Sequence, residues 1–340
     1  MRPKWNVVAV LALMSALVLM PSPAATQAPV VIKLATLVPE GSVWDKAMRE
    51  MGAEWSQATG GRVQLRVYPG GVAGDEPDVV RKMRIGQLQA GAITSAGLSD
   101  IDPAFNVFGI PMFFDAYPEL YAVLDKMEPT LKKRLEDKGF VLLNWGHGGW
   151  VYFFTKQPVR TVAELRKLKL FSWAGDDKMT QLWKTNGFTP VALAATDILT
   201  GLQTGMIEAY PTTPLLALTL QWYQKTPYMA GVGMAPLVGG LVITRSAWEK
   251  ISEPDRAKIL TACAKLERRL KAGVPAQDSS AVNEMKQRGL KVVAIDAATV
   301  VEWRATAEHF ASEMRGTMIP PDILDAATRE RNAFRQRSGK

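Results

Sequence analysis

The chain has 340 residues, 47% hydrophobic and 22% charged, with a formal net charge of +8. That length suits about two domains at roughly 150 residues each, and the balance excludes both a disordered polar chain and a multi-span membrane protein. A single cysteine and two histidines exclude a disulfide framework and a cysteine-based zinc site, and leave little for a histidine-rich metal centre. Basic residues are spread along the chain rather than clustered, which fits solubility and weak surface steering rather than a nucleic-acid partner.

Arg2 and Lys4 precede an apolar run from Val7 to Met20, which Pro21, Ser22 and Pro23 break before the small residues Ala24 and Ala25. A basic start, a short apolar middle and small residues at a cleavage point make a secretory signal, assigned to residues 1–25. The run is shorter than the roughly 20 residues a membrane span needs. No cysteine lies near the cleavage point, so no lipid anchor is expected and the mature chain is expected in the periplasm. Cys263 stands in an apolar helical stretch without a disulfide partner and is expected as a buried thiol.

Val31 to Leu37 is β-branched and apolar and predicts a strand. Ser42 and Asp45 have the spacing of a capping box, with Asp in the Glu/Gln place, and open a helix to about Thr59. Val63, Leu65 and Val67 alternate with polar residues as a half-buried strand. The glycine-rich turn 70–74 leads to a helix from near Pro77 to Gly86, and Ala90 to Ser95 predicts the next strand. Later, strands are expected at 140–145, 151–155, 169–172, 189–193, 237–244 and 291–295. Helices are expected at 176–186 with Gly187 as cap, from the cap Thr196 to Gly205, over 253–287 with a bend at Pro275, and twice at the C-terminus. Alternating strands and helices imply largely parallel sheets covered by helices. No repeat or flexible tether separates the two α/β lobes, so a hinge rather than a linker is expected.

The turn at 70–74 lies where a phosphate cradle would, but lacks the G-x-G-x-x-G spacing and the Walker lysine, and is read as a structural turn. Gly146-His147-Gly148-Gly149 has the look of a flexible active-site loop, yet no triad or G-x-S-x-G elbow accompanies His147. Trp145 and Trp150 flank that loop, Phe171 and Trp173 end a strand leading to Asp176 and Asp177, and Tyr210 ends another before Pro211, Thr212, Thr213 and Pro214. Ligands in open α/β sheets bind beyond the carboxyl ends of strands, so these segments are the natural pocket walls. Each aromatic taken singly is equally a core residue, and the Asp176–Asp177 pair is most simply a helix start.

The stretches 32–76, 109–124, 137–170 and above all "NGFTPVALAATDILTGLQTGMIEAYPTTP" (186–214) carry a family resemblance. Their A-T-D-I-L-T-G-L-Q-T-G-M-I-E core is similar to the signature of the solute-binding subunits of tripartite ATP-independent periplasmic (TRAP) transporters, the DctP-like type. The resemblance implies a two-lobed α/β periplasmic-binding fold (type II-like) with a long connecting helix, lobe I at 29–151 plus 237–272 and lobe II at 152–236 plus 273–340. It implies a receptor that closes on a small organic solute, commonly an organic acid, and delivers it to membrane permease subunits, with no bond made or broken; some members of the family bind a metal with the substrate, but beyond Glu208 the residues offer no ligand set, so no metal or cofactor is expected.

The sequence departs from the family where it matters most. Phe171 stands at the position of the arginine that usually grips a carboxylate, a second family arginine falls near Trp150, and the "D-G-Q-E-N" segment becomes Glu208-Ala209-Tyr210-Pro211-Thr212. A bidentate clamp needs the donor fork that only arginine supplies. The expected ligand-binding set is Glu40, Trp145, His147, Trp150, Phe171, Trp173, Asp176, Tyr210, Thr212 and Thr213. An organic acid gripped without the arginine is the expected solute. The alternatives are an aromatic, neutral or amine solute in the aromatic box, or a secreted enzyme using His147 with an acid such as Asp176.

Overall fold

The computed structural model describes residues 28–339; the expected signal segment lies outside them. One sheet of ten strands runs through the molecule, in the order β2-β1-β3-β9-β4-β7-β5-β6, with β8 and β10 off that path. In the first lobe β1 (Val30–Thr36) lies parallel between β2 (Val63–Tyr68) and β3 (Ala90–Thr94), and β9 (Ala235–Thr244) runs antiparallel to β3. In the second, β5 (Lys169–Trp173) is parallel to β6 (Thr189–Leu193) and β7 (Ala209–Thr212), while β8 (Tyr228–Ala230) is parallel to β10 (Lys291–Val293). Both lobes are therefore mostly parallel, each with one reversed neighbour.

The strand joining them is β4 (Phe140–Thr155). Its first part pairs with β9 and its last residues with β7 and β8. The expected pair of strands around a loop is thus one continuous strand, because Gly146, His147 and Gly149 stay paired to β9, with register shifts between Leu142 and Asn144 and between His147 and Gly149. Glycine permits this: a Cβ on Gly146 would sit 3.3 Å from the Gly239 backbone, and Gly149 has φ +109°. Such bulges bend and twist a strand, which turns β4 from one lobe to the other.

Helices cover both lobes. α1 (Val43–Ala58) starts at Ser42, whose hydroxyl accepts the Asp45 N–H; Asp45 turns instead to the Gly41 N–H, so only half of the expected capping box forms. α2 (Glu76–Arg84) begins at its cap Asp75 and stops before Gly86 at φ +76°. α3 (Ser95–Ile101) and a 3-10 turn lead to α4 (Tyr117–Asp137), which no motif announced although Leu120, Val123, Leu124, Met127, Leu131 and Leu135 repeat at helical spacing and are buried. α5 (Val162–Arg166) precedes β5, and α6 (Asp177–Thr185) follows it. α7 (Ile198–Thr204) is capped at Asp197 rather than at Thr196, which lies in the preceding 3-10 turn. α8 (Pro214–Thr219) follows β7, and the single turn α9 (Arg245–Trp248) follows β9.

The 35-residue helix α10 (Glu253–Gln287) is long enough to reach both lobes, at about 1.5 Å per residue. Its first half packs on α1 through Ile259, Cys263 and Leu266, burying the expected thiol, and its second half packs on α8. Burial pushes the Cys263 thiol up to about 12. Pro275 inside α10 cannot donate to the Lys271 carbonyl; Tyr121 Oη of α4 donates to that carbonyl at 3.5 Å. Two carboxylates of α10 hold β4 on either side of its glycine run: Glu267 accepts the Trp145 N–H at 3.0 Å and Asp278 accepts the Trp150 N–H at 2.9 Å. α11 (Ala297–Met314) and α12 (Pro321–Arg337) finish the chain. α12 lies on α4, with Arg335 Nη2 3.0 Å from Asp115 and its guanidinium also on buried Glu119, so the last helix packs on first-lobe elements although the sequence placed it with lobe II.

Candidate functional site

A cleft of about 630 Å³ lies between the lobes, with β4 as its floor. Asn144 and His147 come from the bulged part of β4. Trp44, Glu76 and Thr94 line it from the first lobe, and Phe171, Trp173, Asp176, Thr196, Thr212 and Trp222 from the second. Among the described residues no lysine or arginine lines it.

Glu76 enters the cleft wall from the first turn of α2. Its carboxylate accepts the Thr94 N–H at 2.8 Å, the Thr94 hydroxyl at 2.7 Å and the Gly97 N–H at 2.9 Å. Only glycine fits at 97, since a Cβ there would stand 2.6 Å from Glu76 Oε2. Burial raises Glu76 to about 7, against the pull of those three bonds. Across the cleft Asp176 caps α6 by accepting the Met179 N–H at 2.9 Å, and burial raises it also.

His147 is 5% exposed and its ring stands edge-on to Tyr121, at 5.3 Å between centroids. Burial, followed by the repulsion of Lys271, lowers it to about 4, so the imidazole is neutral at pH 7. Lys271 reaches this group from α10, over the Tyr121 ring at 4.0 Å. Neither His147 Nε2 nor Asn144 Oδ1 has a hydrogen-bond partner, although both are buried. A neutral histidine with no acid bonded to it is poorly set for the general acid–base role weighed above. Among the described residues no group of three or more His, Cys, Asp or Glu could hold a metal ion.

The two lobes touch at the cleft mouth. Asp75 Oδ2 accepts the Ala195 N–H at 2.7 Å, and a Cβ on Gly71 would be 2.6 Å from the Thr196 methyl. The glycine turn read as structural is therefore also a close contact between lobes. Thr196, expected as a helix cap, serves on the other side of that contact.

Of the expected ligand-binding residues, His147, Phe171, Trp173, Asp176 and Thr212 line the cleft. Trp145 does not: it is 1% exposed, packs between Phe105 and Phe108, and donates its indole N–H to Glu128 at 2.9 Å. Tyr210 is also core, stacked on Phe154, edge-on to Trp222 and bonded to the Thr226 hydroxyl. Period-two alternation explains both, since each faces away from a neighbour whose own side chain is turned to the cleft. Thr213 is fully buried with its hydroxyl unpartnered, outside the cleft lining. Trp150 lines a separate cavity of about 510 Å³ with Tyr117 and Asp278. Glu40 points to solvent beside Arg49 at 3.3 Å. The unforeseen lining residues Asn144 and Glu76 each left a trace: a lone amide in an apolar strand, and an acid between a glycine turn and Pro77.

A two-lobed sheet sharing a bulged crossing strand, a long helix over both lobes and a cleft between them define the architecture of a periplasmic solute-binding protein. Residues 34–316 match the family described as bacterial extracellular solute-binding protein, family 7 (DctP), and the chain belongs to it. A solute-binding protein of Chromohalobacter salexigens is 26% identical over 216 residues, which cover 63% of this chain and 64% of that relative. A TRAP periplasmic solute-binding protein from Pseudomonas putida F1, solved with bound D-glucuronate, superposes with a TM-score of 0.76 at 23% identity, covering 85% of this chain and 95% of the other. DctP7 of Bordetella pertussis, a receptor binding pyroglutamic acid, gives 0.80 at 20% identity, covering 87% and 99%. The expected fold class and family are those observed.

Proposed function

We propose that the chain is the extracytoplasmic receptor of a TRAP-type secondary transporter, exported by the segment 1–25, working in the periplasm and handing a small organic solute to membrane permease subunits. The observation that carries this reading is the cleft of about 630 Å³ walled by both lobes, with His147 Nε2 and Asn144 Oδ1 unpartnered. That volume is in the usual range for a small-molecule site, and two buried polar atoms left unsatisfied on the strand that floors it are groups a polar ligand could satisfy. The lobes are 29–151 with 237–272, and 152–236 with the chain beyond 273, save that α12 is counted with the first lobe for its packing on α4. They move about the bulges of β4, and a solute touching both favours the closed arrangement by its differential affinity.

The two solved relatives hold D-glucuronate and pyroglutamic acid, which supports capture of a small solute in this cleft. Here the groups that would meet it are Asn144, His147, Thr212 and the aromatic wall in place of a guanidinium. A thermal-shift screen of small solutes tests the reading, because a ligand bound only by the folded chain raises its melting temperature by mass action. A concentration-dependent rise with one chemical series is expected; a flat response across acids, amides, amines and sugars counts against it.

A further inference from the structure

The charge balance of the cleft bears on the class of solute, and the inference rests on the receptor reading. A carboxylate entering a closed cleft loses its hydration, a loss that opposite charge and several hydrogen bonds must offset. Among the described residues the lining offers no lysine or arginine. Its titratable side chains are Glu76, Asp176 and His147. Burial holds both carboxyl groups above their ordinary range and neither supplies the positive charge an anion needs, and the imidazole is neutral. Lys271, whose charge acts on His147, lies over the Tyr121 ring and does not line the cleft. An ammonium fares little better. Both oxygens of Glu76 already accept hydrogen bonds from Thr94 and Gly97, and one oxygen of Asp176 caps α6.

What the cleft does offer is flat apolar surface and two buried polar atoms. Trp44, Phe171, Trp173 and Trp222 present rings, Phe171 and Trp173 edge-to-face at 5.8 Å between centroids. Asn144 is 5% exposed; its amide N–H donates to the Trp145 carbonyl at 2.9 Å, which fixes the amide and leaves Oδ1 as a free acceptor. His147 Nε2, on a side chain equally buried, stands three residues along the same strand. A buried acceptor without a partner selects strongly for a ligand that brings a donor.

We propose that this cleft takes an uncharged aromatic solute carrying a hydrogen-bond donor, such as a primary amide, with its ring among the Trp and Phe side chains and its donor on Asn144 Oδ1. Isothermal titration at pH 7 against matched series tests it: benzamide, benzoate and benzylamine, and indole-3-acetamide, indole-3-acetate and tryptamine. The amide of at least one series is expected to bind ten-fold or more tighter than its acid and its amine. An acid or amine that binds as tightly as its amide overturns the assignment and leaves the receptor reading standing; absence of binding by every member overturns the assignment too, and the receptor reading is then decided by the thermal-shift screen. The variant Asn144→Ala is expected to lose at least five-fold for the amide and to keep its affinity for 1-methylindole, a ring with no hydrogen-bond donor. A folded Asn144→Ala chain with the full amide affinity overturns the role given to Oδ1.

Discussion

Asp75 and Ala195 join the two lobes at the cleft mouth. One oxygen of Asp75 accepts the Ala195 N–H at 2.7 Å, while the other accepts the Glu76 N–H at 2.8 Å and caps α2. The same carboxylate thus fixes the helix start in one lobe and holds the backbone of the other, so closure and local order are coupled through one side chain.

Removing it separates the two effects. Asp75→Ala deletes a charge-assisted hydrogen bond, worth about 1.5–3 kcal/mol, and a helix cap worth about 1 kcal/mol. Solute affinity measured by titration calorimetry is expected to fall by about ten-fold or more. Asp75→Asn keeps one acceptor oxygen and sets a donor NH2 in place of the other, so it can serve one of the two roles and is expected to lie between wild type and Ala. Equal affinities in all three chains would mean that the contact does not contribute to closure.

At the aromatic wall, Trp173→Ala is expected to weaken binding by about 1–3 kcal/mol, the range for a ring against a desolvated ligand. Phe171→Arg puts a guanidinium on the cleft wall at the position where the sequence resemblance sets the family's arginine. It is expected to create measurable affinity for D-glucuronate that wild type lacks, at some loss of melting temperature from burying the charge. An unchanged solute profile in a folded Phe171→Arg chain would remove Phe171 from the binding surface.

The bulge of β4 makes a sharper steric prediction. A Cβ on Gly149 would stand 2.1 Å from Asp278 Oδ2, on a backbone at φ +109°. Gly149→Ala is expected to cost about 3 kcal/mol or more in urea denaturation, from overlap and backbone strain together. Gly86 is the control: its φ is +76° but nothing lies within 4 Å of the Cβ position. Gly86→Ala is expected to cost about 1 kcal/mol, the conformational penalty alone.

Stability should fall as pH rises from about 4 to 7 on account of two buried carboxylates. Glu76 is raised from 4.5 to about 7 and Asp278 from 3.8 to about 6, each chiefly by burial. Between its ordinary and raised values such a group holds more proton in the folded state, so deprotonation favours unfolding. His147, lowered from 6.5 to about 4, works the other way, since the unfolded state holds its proton. Glu76→Gln separates them. It is expected to flatten the fall measured by urea denaturation between pH 5 and 7.5, while lowering stability at pH 5 because an amide cannot accept both the Thr94 and Gly97 N–H groups. An unaltered pH slope would contradict the assignment to Glu76.

Much of the fold is legible in the residues. Val31, Leu34 and the 63–67 alternation place β1 and β2, and Pro77 and Asp176 mark helices close to where they start. α4 is legible too, in its spaced Leu and Val residues, but Ala116 gives it no side-chain cap and Pro118 and Pro129 interrupt the pattern. The continuity of β4 is not legible, because glycines that break an isolated strand are here accommodated by pairing of Gly146 to Gly239 and Gly149 to Leu237, in a strand far along the chain. The site divides in the same manner. Phe171, Trp173, Asp176 and Thr212 follow from their place at strand ends. Trp145 and Tyr210 share those ends, yet which side of the sheet a residue faces depends on register, and register is set by partners distant in sequence. The contact of Gly71 with Thr196 depends on the approach of two lobes, which no local pattern encodes.

Small-angle X-ray scattering during titration with the solute that most raises the melting temperature tests lobe closure most directly. The radius of gyration is expected to contract and to saturate at one solute per chain. A chain that binds that solute to saturation with no contraction from its ligand-free dimensions would contradict capture by closure.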